Sequence, residues 1–154
     1  MSGPAMQIGL LAFSTASAFL GAALYINVVE QPARLALGPQ SSVKEWALSN
    51  RRGFLMLSAM AILSATLAYA QYVRTGDVRW IIGGTVNLAN LPYTYFVVTP
   101  VNIWLCAIPP GGPRSPAREL LRDWGLLEWG QTTISLAACG FHGWALALPA
   151  QAPP

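Results

Sequence analysis

Four apolar stretches, each about the length of a membrane-spanning helix, dominate the pattern of residues along the chain. Residues 8–29, 54–73 and 80–108 contain no charged residue, and residues 120–148 carry charges only near their start. A helix needs ~20 mostly apolar residues to cross a bilayer. We therefore predict an all-α membrane protein, a single domain built as a bundle of four transmembrane helices. The final residues, 149–154, are predicted to be a disordered tail.

The three connections between these stretches predict the orientation in the membrane. Cytoplasmic loops of membrane proteins carry an excess of Lys and Arg. The first connection and the third, with the start of the fourth helix, lie on one side and hold Arg34, Lys44, Arg51, Arg52, Arg114, Arg118 and Arg122. The other side holds Arg74 and Arg79. Both termini should therefore face outward, and the compact chain suits a bacterial inner membrane.

Composition agrees with a lipid environment and excludes one class of partner. Of the 154 residues, 54% are hydrophobic and 10% are charged, whereas an average soluble domain is ~25% charged. No basic run with interleaved aromatic residues is present, so nucleic acid is not an expected partner. Cys106 and Cys139 stand apart without metal-ligand spacing, and no metal site is predicted.

Polar residues at membrane depth are the candidates for function, because such groups usually face an interior or a cavity. The predicted orientation brings Glu30, Asn102 and Glu128 to one level near the cytoplasmic boundary, with Trp46 of the first connection beside them. His142 is 14 residues beyond Glu128, ~21 Å along a helix. We expect it at the outer boundary, in an aromatic belt, although a haem ligand is an alternative.

The third helix contains two prolines, Pro92 and Pro100, which should kink it. Each proline removes a backbone donor and leaves one carbonyl without its partner. Lipid cannot satisfy that carbonyl, so the bend either lines a cavity or is closed by the hydroxyls of Thr94 and Thr99. Tyr93 would place a phenol near the bend, either as a site residue or in an interhelix hydrogen bond.

The two membrane acids also have structural interpretations. Glu30 could pair with Arg34, four residues further along the helix. Glu128 could pair with Arg122 or Arg51 across the bundle. These alternatives stay open at the level of sequence.

Several motifs resemble the membrane-bound anthrone-oxygenase-like family, a group of four-helix proteins. They are the run GAALYINVVEQPARL, the isolated Trp46 and the run LPYT…TPVNIWL. The E-x-P-A element at residues 30–33 and the P-Y-T and P-x-N elements at 92–94 and 100–102 carry most of the resemblance. In the fourth helix Trp124 matches, whereas Glu128 and Gln131 replace the family's usual His or Asn and Arg.

The resemblance implies a reaction and a set of roles. Relatives oxidise polycyclic anthrones to anthraquinones with molecular oxygen, without metal or flavin, so no cofactor is expected. A base removes a proton, the enolate reduces oxygen, and hydrogen-bond donors hold the oxyanion. The roles expected here are a catalytic base at Glu30 or Glu128, oxyanion donors at Tyr93 and Asn102, and substrate-binding residues at Trp46, Pro92, Thr94, Trp124 and Gln131.

Two other classes of function compete with an oxygenase. The short extramembrane parts suit a non-catalytic accessory subunit of a larger membrane complex, and a small transporter is a weaker alternative. The expected partners are accordingly the lipid bilayer, a flat aromatic or quinone-like molecule, and other membrane subunits or further copies of this chain.

Overall fold

The computed structural model describes residues 4–109 and 114–148, and these ranges are almost entirely helical and contain no strand. Two π-helical segments, Ile26–Glu30 and Thr94–Val98, interrupt the α-helices. The α-helices are α1 (Pro4–Tyr25), α2 (Gln31–Ala36), α3 (Pro39–Thr75), α4 (Val78–Leu88), α5 (Asn90–Tyr93), α6 (Thr99–Cys106) and α7 (Arg114–Ala147). The predicted tail at 149–154 lies outside the described residues.

The long helices pack in a ring. α1 contacts α3 and α7, and α4 contacts the same two helices from the other side. Small residues allow close approach between α1 and α3, since Ala12, Ala16, Ala61 and Ala65 are all buried. The Ser64 hydroxyl donates to the Ala12 carbonyl oxygen at 3.2 Å across this contact.

The second long helix begins much earlier than its apolar stretch. α3 starts at Pro39, after the extended Gly38, whereas the hydropathy pattern alone placed its start near residue 54. Proline is well suited to the first turn of a helix because it needs no donor there. As a result Trp46, predicted to lie in a connection, is a buried helical residue. α3 ends at Thr75 and is followed by Gly76, whose φ of 69° forms a left-handed cap.

The first helix does not stop at Glu30. It passes through the π-helical segment Ile26–Glu30 into α2, and the chain turns only at Leu37 and Gly38. The Gln31 N–H donates to the Ile26 carbonyl, five residues back. Pro32 follows directly and has no N–H to continue the regular pattern. The extra residue of the π-helical segment accommodates the proline. It also rotates α1 relative to α2 about the helix axis.

The third long segment repeats this arrangement. It runs from Val78 to Cys106 without a loop, and its π-helical part, Thr94–Val98, ends two residues before Pro100. The Thr99 N–H and hydroxyl both reach the Thr94 carbonyl oxygen, the hydroxyl at 3.0 Å. Of the two hydroxyls predicted to close the bend, that of Thr99 therefore bonds the Thr94 carbonyl inside the π-helical segment, and that of Thr94 bonds the Asn90 carbonyl at 2.8 Å.

Two helical segments are long and apolar enough to cross a membrane, Gln7–Ala36 and Pro39–Thr75. Among the described residues the remaining segments do not meet the same test. α4 to α6 are each short, and α7 carries polar residues such as Gln131 and His142. The chain therefore has a helical, membrane-like character, while four spans and their orientation stay predictions.

Candidate functional site

A cavity of about 420 Å³ lies between α1, α3, the π-helical segment Thr94–Val98 and α7. This volume is within the range of ~300–1,000 Å³ that holds small ligands. The apolar side chains in its wall include Phe19, Ile26, Leu57, Leu91 and Val98. Its polar lining includes Glu30, Ser49, Asn90, Thr94, Glu128 and Gln131. The cavity thus combines apolar walls with a few convergent polar groups.

Arg34 organises one end of this site although it is only 1% exposed. Its guanidinium forms ion pairs with the carboxylates of Glu30 and Glu45. It also donates to the Ser49 hydroxyl and to the Gln31 side-chain oxygen, each at 2.9 Å. A guanidinium can satisfy several acceptors at once because it carries five N–H donors in a planar arrangement. Arg34 therefore fastens α2 to the first half of α3.

An aromatic pair lies under this guanidinium. The Arg34 Cζ atom is 4.9 Å from the ring centroid of Trp124, which is cation–π contact distance. Trp46 packs edge-on against Trp124, with 6.3 Å between ring centroids. Trp124 lines the cavity, and Trp46 supports it from behind together with Leu105 and Leu121.

Gln31 fixes α2 against α7. Its side-chain nitrogen donates to the Leu121 carbonyl oxygen at 2.6 Å. This approach needs Gly125, because a Cβ there would lie 2.5 Å from that nitrogen. The glycine thus permits the contact that holds the Glu30–Arg34 pair over the cavity.

Glu128 lies on α7 in the cavity wall and is 4% exposed. Both of its carboxylate oxygens accept from the Gln131 side-chain nitrogen, at 2.9 Å each. The guanidinium of Arg34 bonds Glu30 and Glu45, and Glu128 forms no ion pair within the described residues. Glu128 is therefore a buried carboxyl group whose direct partner in the described chain is an amide.

A polar network continues beyond the cavity along the interior. Asn90 donates to the Asn87 carbonyl oxygen at 2.9 Å and to the Ser135 hydroxyl at 3.1 Å. The Thr94 hydroxyl donates to the Asn90 carbonyl oxygen at 2.8 Å. Asn27 donates to the Thr132 hydroxyl at 2.7 Å on the other side of α7. These bonds fix α7 relative to its neighbours, so the position of Glu128 is well supported.

The predicted site residues divide into two groups. Those in the cavity wall are Glu30, Thr94, Trp124, Glu128 and Gln131; those outside it are Trp46, Pro92, Tyr93 and Asn102. Pro92 is exposed on the outer surface. The Tyr93 hydroxyl donates to the Leu127 carbonyl oxygen at 2.8 Å, so its proton is engaged in an interhelix bond. Asn102 is half-buried, two turns of helix beyond Thr94 and away from the cavity wall.

The structural alternatives for the two acids differ in outcome. Glu30 does pair with Arg34, as its spacing allowed. Glu128 pairs with neither Arg122 nor Arg51, since both arginines are exposed and Glu128 bonds Gln131. The expectation for that pair was wrong because the two arginines lie on outward-facing positions of their helices.

His142 is fully buried, and its expected place in an outer aromatic belt is wrong. It stacks on Trp80 with 5.3 Å between ring centroids, and Gly83 leaves the space for its ring. The reason is helical spacing, because Glu128, Ser135 and His142 repeat every seven residues on one face of α7. Within the described residues, no group of three or more His, Cys, Asp or Glu side chains could hold a metal ion.

Residues of the site that sequence reasoning did not choose include Arg34, its organising cation, and Ser49 and Asn90 in the cavity wall. A signal for Ser49 was present. Ser42, Trp46, Ser49, Gly53 and Leu57 follow helical spacing and share one face of α3. The charges at Lys44, Glu45, Arg51 and Arg52 concealed this face because they interrupt the apolar run.

Comparison with known proteins assigns the family. No curated protein and no solved structure matches the chain. The family model described as anthrone oxygenase matches residues 46–141, more than half of the 154 residues, and includes Thr94, Trp124, Glu128 and Gln131 of the cavity wall. The chain therefore belongs to the anthrone oxygenase family.

Proposed function

We propose that this protein oxidises a flat aromatic substrate with molecular oxygen, and that Glu128 is the base that starts the reaction. The single observation that carries the proposal is the position of Glu128: a buried carboxyl group, in the wall of a mostly apolar cavity, bonded directly to an amide. A carboxylate without a direct cation accepts a proton more readily than one neutralised by a guanidinium. Glu30, paired with Arg34, is the weaker candidate.

The proposed chemistry balances with oxygen as the only oxidant. Glu128 takes one proton from the methylene carbon of an anthrone, which leaves an enolate. The enolate transfers electrons to oxygen, a C–O bond forms, and the resulting peroxide takes up a proton. Loss of the second proton from the same carbon breaks the O–O bond and gives a quinone carbonyl and one water. Apolar walls favour this sequence because they bind the flat rings and exclude water.

Gln131 is the proposed donor to the enolate oxygen. It lines the cavity beside Glu128, and its amide nitrogen carries two hydrogens. The nitrogen is 2.9 Å from both carboxylate oxygens of Glu128, which one N–H pointing between them can serve, so the second N–H is left for the substrate. This role replaces the one expected for Tyr93 and Asn102, neither of which lines the cavity.

We further propose that the chain forms a four-helix transmembrane bundle in a bacterial inner membrane, with both termini outside. The support is the outward exposure of large apolar residues on every long segment, such as Leu11, Leu63, Phe96 and Leu136. Lipid would cover these side chains, since water-soluble proteins rarely expose such wide apolar surfaces.

The test is anthrone-dependent oxygen uptake by the purified protein in vesicles. Glu128→Gln keeps the size and hydrogen bonding of the side chain but removes the base, so uptake should fall by about 100-fold or more. The matched control is Glu119→Gln on the same helix, because Glu119 is exposed and should leave uptake unchanged. Uptake by Glu128→Gln at the wild-type rate would rule out Glu128 as the base.

Co-purification separates the enzyme from the accessory subunit. A protein isolated alone, or with further copies of itself, that consumes oxygen with anthrone supports the enzyme. A fixed set of other membrane subunits, with no anthrone-dependent uptake by the wild type, would instead favour an accessory role.

A further inference from the structure

Between two points of close contact, side chains of the first helix and of α3 line the cavity and also reach the outer surface, and we call this stretch the gap. On one side of the gap, Phe19, Ala23, Leu57 and Ala61 form a closed apolar cluster between α1 and α3. On the other side, the ion pair of Arg34 with Glu45 joins α2 to α3. Residues 23 to 34 span ~16 Å of helix between these closures. The cavity lies directly behind this stretch, because Ile26 and Glu30 are in its wall.

The rim of the gap is exposed and belongs to the same cavity. Tyr25 is 57% exposed, Phe54 49% and Met56 45%, and all three line the cavity. Gly53 also lines it, and a Cβ added there meets no atom within 4 Å. Side chains that touch both the cavity and the outer surface mark the place where the two connect.

The rim lies where the sequence of α3 changes from charged to uncharged. Before it, α3 carries Lys44, Arg51 and Arg52, and after it comes the uncharged stretch 54–73. Basic side chains favour the headgroup region of a bilayer, and apolar runs favour its hydrocarbon core. The gap therefore falls at the level where the two regions meet.

We propose that this gap is a lateral opening through which a flat, apolar aromatic molecule dissolved in the bilayer reaches Glu128. The inference rests on the proposed function for the identity of the molecule, but the opening itself rests on the geometry of α1 and α3. A substrate of this kind partitions into lipid, so an opening toward lipid admits it directly. Tyr25 and Phe54 offer aromatic side chains at the rim, and the basic side chain of Arg52 also lines the cavity there.

A photoreactive probe tests the opening without relying on catalysis. The protein is placed in phosphatidylcholine vesicles that contain an apolar aryl diazirine, illuminated, and mapped by peptide mass spectrometry. Wild-type protein should be labelled at cavity residues such as Phe19 and Ile26, with the exposed Phe96 as internal reference. In Gly53→Trp the indole side chain should fill the gap. Because the probe would then enter the cavity more slowly, labelling of the cavity residues should fall about tenfold.

Gly21→Trp is the matched control. Gly21 is an exposed helical glycine on α1 with no atom near an added Cβ, and it does not line the cavity. Cavity labelling in this variant should stay at the wild-type level.

A second variant excludes misfolding as the cause of reduced labelling. It combines Gly53→Cys with Cys106→Ser and is treated with a bulky maleimide only after the protein has folded. Labelling should fall after treatment, and Gly21→Cys in the same background should show no change.

Each outcome decides a separate claim. Unchanged cavity labelling in Gly53→Trp and in the modified Gly53→Cys variant would overturn the opening. Cavity labelling only by a charged, water-soluble aryl diazirine would overturn it as well, since the gap would then face water. Blocked labelling in a protein without anthrone-dependent oxygen uptake would leave the opening standing and reject the proposed oxidation.

Discussion

At the residue scale, charge compensation distinguishes the acids around the cavity. Arg34 forms ion pairs with Glu30 and Glu45, and its burial is tolerated because its N–H donors are bonded to carboxylates, an amide oxygen and a hydroxyl. Glu128 has no such direct partner among the described residues. The position of Arg34 therefore distinguishes Glu30, which is ion-paired, from Glu128, which is not, although the sequence gives no reason to treat the two acids differently.

Glycines decide how closely the site residues approach each other. A Cβ at Gly130 would lie 2.1 Å from the Tyr93 hydroxyl oxygen, which is far inside contact distance. The tyrosine ring therefore occupies space that only a glycine leaves free, and its hydroxyl reaches the Leu127 carbonyl oxygen. This contact holds the third long segment against α7 next to Glu128.

Gly130→Ala should destabilise the protein for this reason. The added methyl displaces Tyr93, at a cost of about 1–3 kcal/mol. Gly140→Ala on the same helix is the control, because nothing lies within 4 Å of its Cβ and alanine favours a helix by about 0.5–1 kcal/mol. Thermal unfolding in detergent, followed by circular dichroism, should show a lower midpoint for the first variant and an equal or higher one for the second. Equal midpoints would mean that Tyr93 can move without cost.

At the scale of elements, the two π-helical segments have one cause. Each ends two residues before a proline, Pro32 or Pro100. The proline cannot donate to the preceding turn, and widening that turn by one residue restores backbone bonding around it. Both segments contribute to the cavity wall, with Glu30 from the first and Thr94 from the second. The irregular turns thus present polar side chains to the interior.

The start of α4 carries a charge-dependent cap. The Asp77 carboxylate accepts from the backbone N–H of Arg79 at 3.1 Å and from its guanidinium. These hydrogen bonds with Arg79 lower the pKa of Asp77 below its usual value of 3.8, despite partial burial. Because the folded pKa is the lower one, the stabilisation is present above pH 3.8 and is lost as the pH falls through the folded pKa.

Asp77→Asn keeps a capping side chain but removes the charge. At pH 7 we expect a loss of about 0.5–2 kcal/mol. The gap between wild type and variant should close as the pH falls below 3.8. Unfolding in detergent between pH 7 and pH 3 measures this difference, and Asp123→Asn is the control because Asp123 is exposed. A gap that stays constant over this range would contradict a role for the carboxylate charge.

At the scale of the whole molecule, the distribution of polarity is inverted relative to a soluble protein. The interior contains Glu128, Asn87, Asn90, Ser135 and His142, whereas large apolar side chains cover much of the outside. Lipid removes the penalty for the apolar exterior, and interior hydrogen bonds such as Gln131–Glu128 and Asn90–Ser135 link polar groups between and within helices. This arrangement supports the proposal that all four long segments lie in a membrane.

Topology can be tested by labelling single cysteines from outside the cell. Lys44→Cys and Arg74→Cys are both exposed positions near opposite ends of α3, and Cys106→Ser removes the exposed native thiol. With both termini outside, a membrane-impermeant maleimide should label Arg74→Cys on intact cells and Lys44→Cys only after lysis. The reverse result would invert the proposed orientation, and equal labelling on intact cells would exclude a span between the two positions.

Sequence alone determined the features that depend on composition and local patterning. The apolar stretches indicated helices and a membrane-like chain, the motifs around Glu30 and Pro92 indicated the family, and the spacing of Glu30 and Arg34 allowed their ion pair. These inferences succeed because hydropathy and helical periodicity act within one segment. Glu128 and Gln131 could be chosen in the same way, as polar residues in an apolar run.

Tertiary structure decided everything that depends on the rotation of one helix against another. The π-helical segments before Pro32 and Pro100 change that rotation, and the charged first half of α3 concealed its inward face. For this reason Asn102, which follows the second π-helical segment, lies outside the cavity wall, whereas Ser49, in the charged half of α3, lies in it. A helix turns by ~100° per residue, so an extra residue in one turn changes which side chains face the interior.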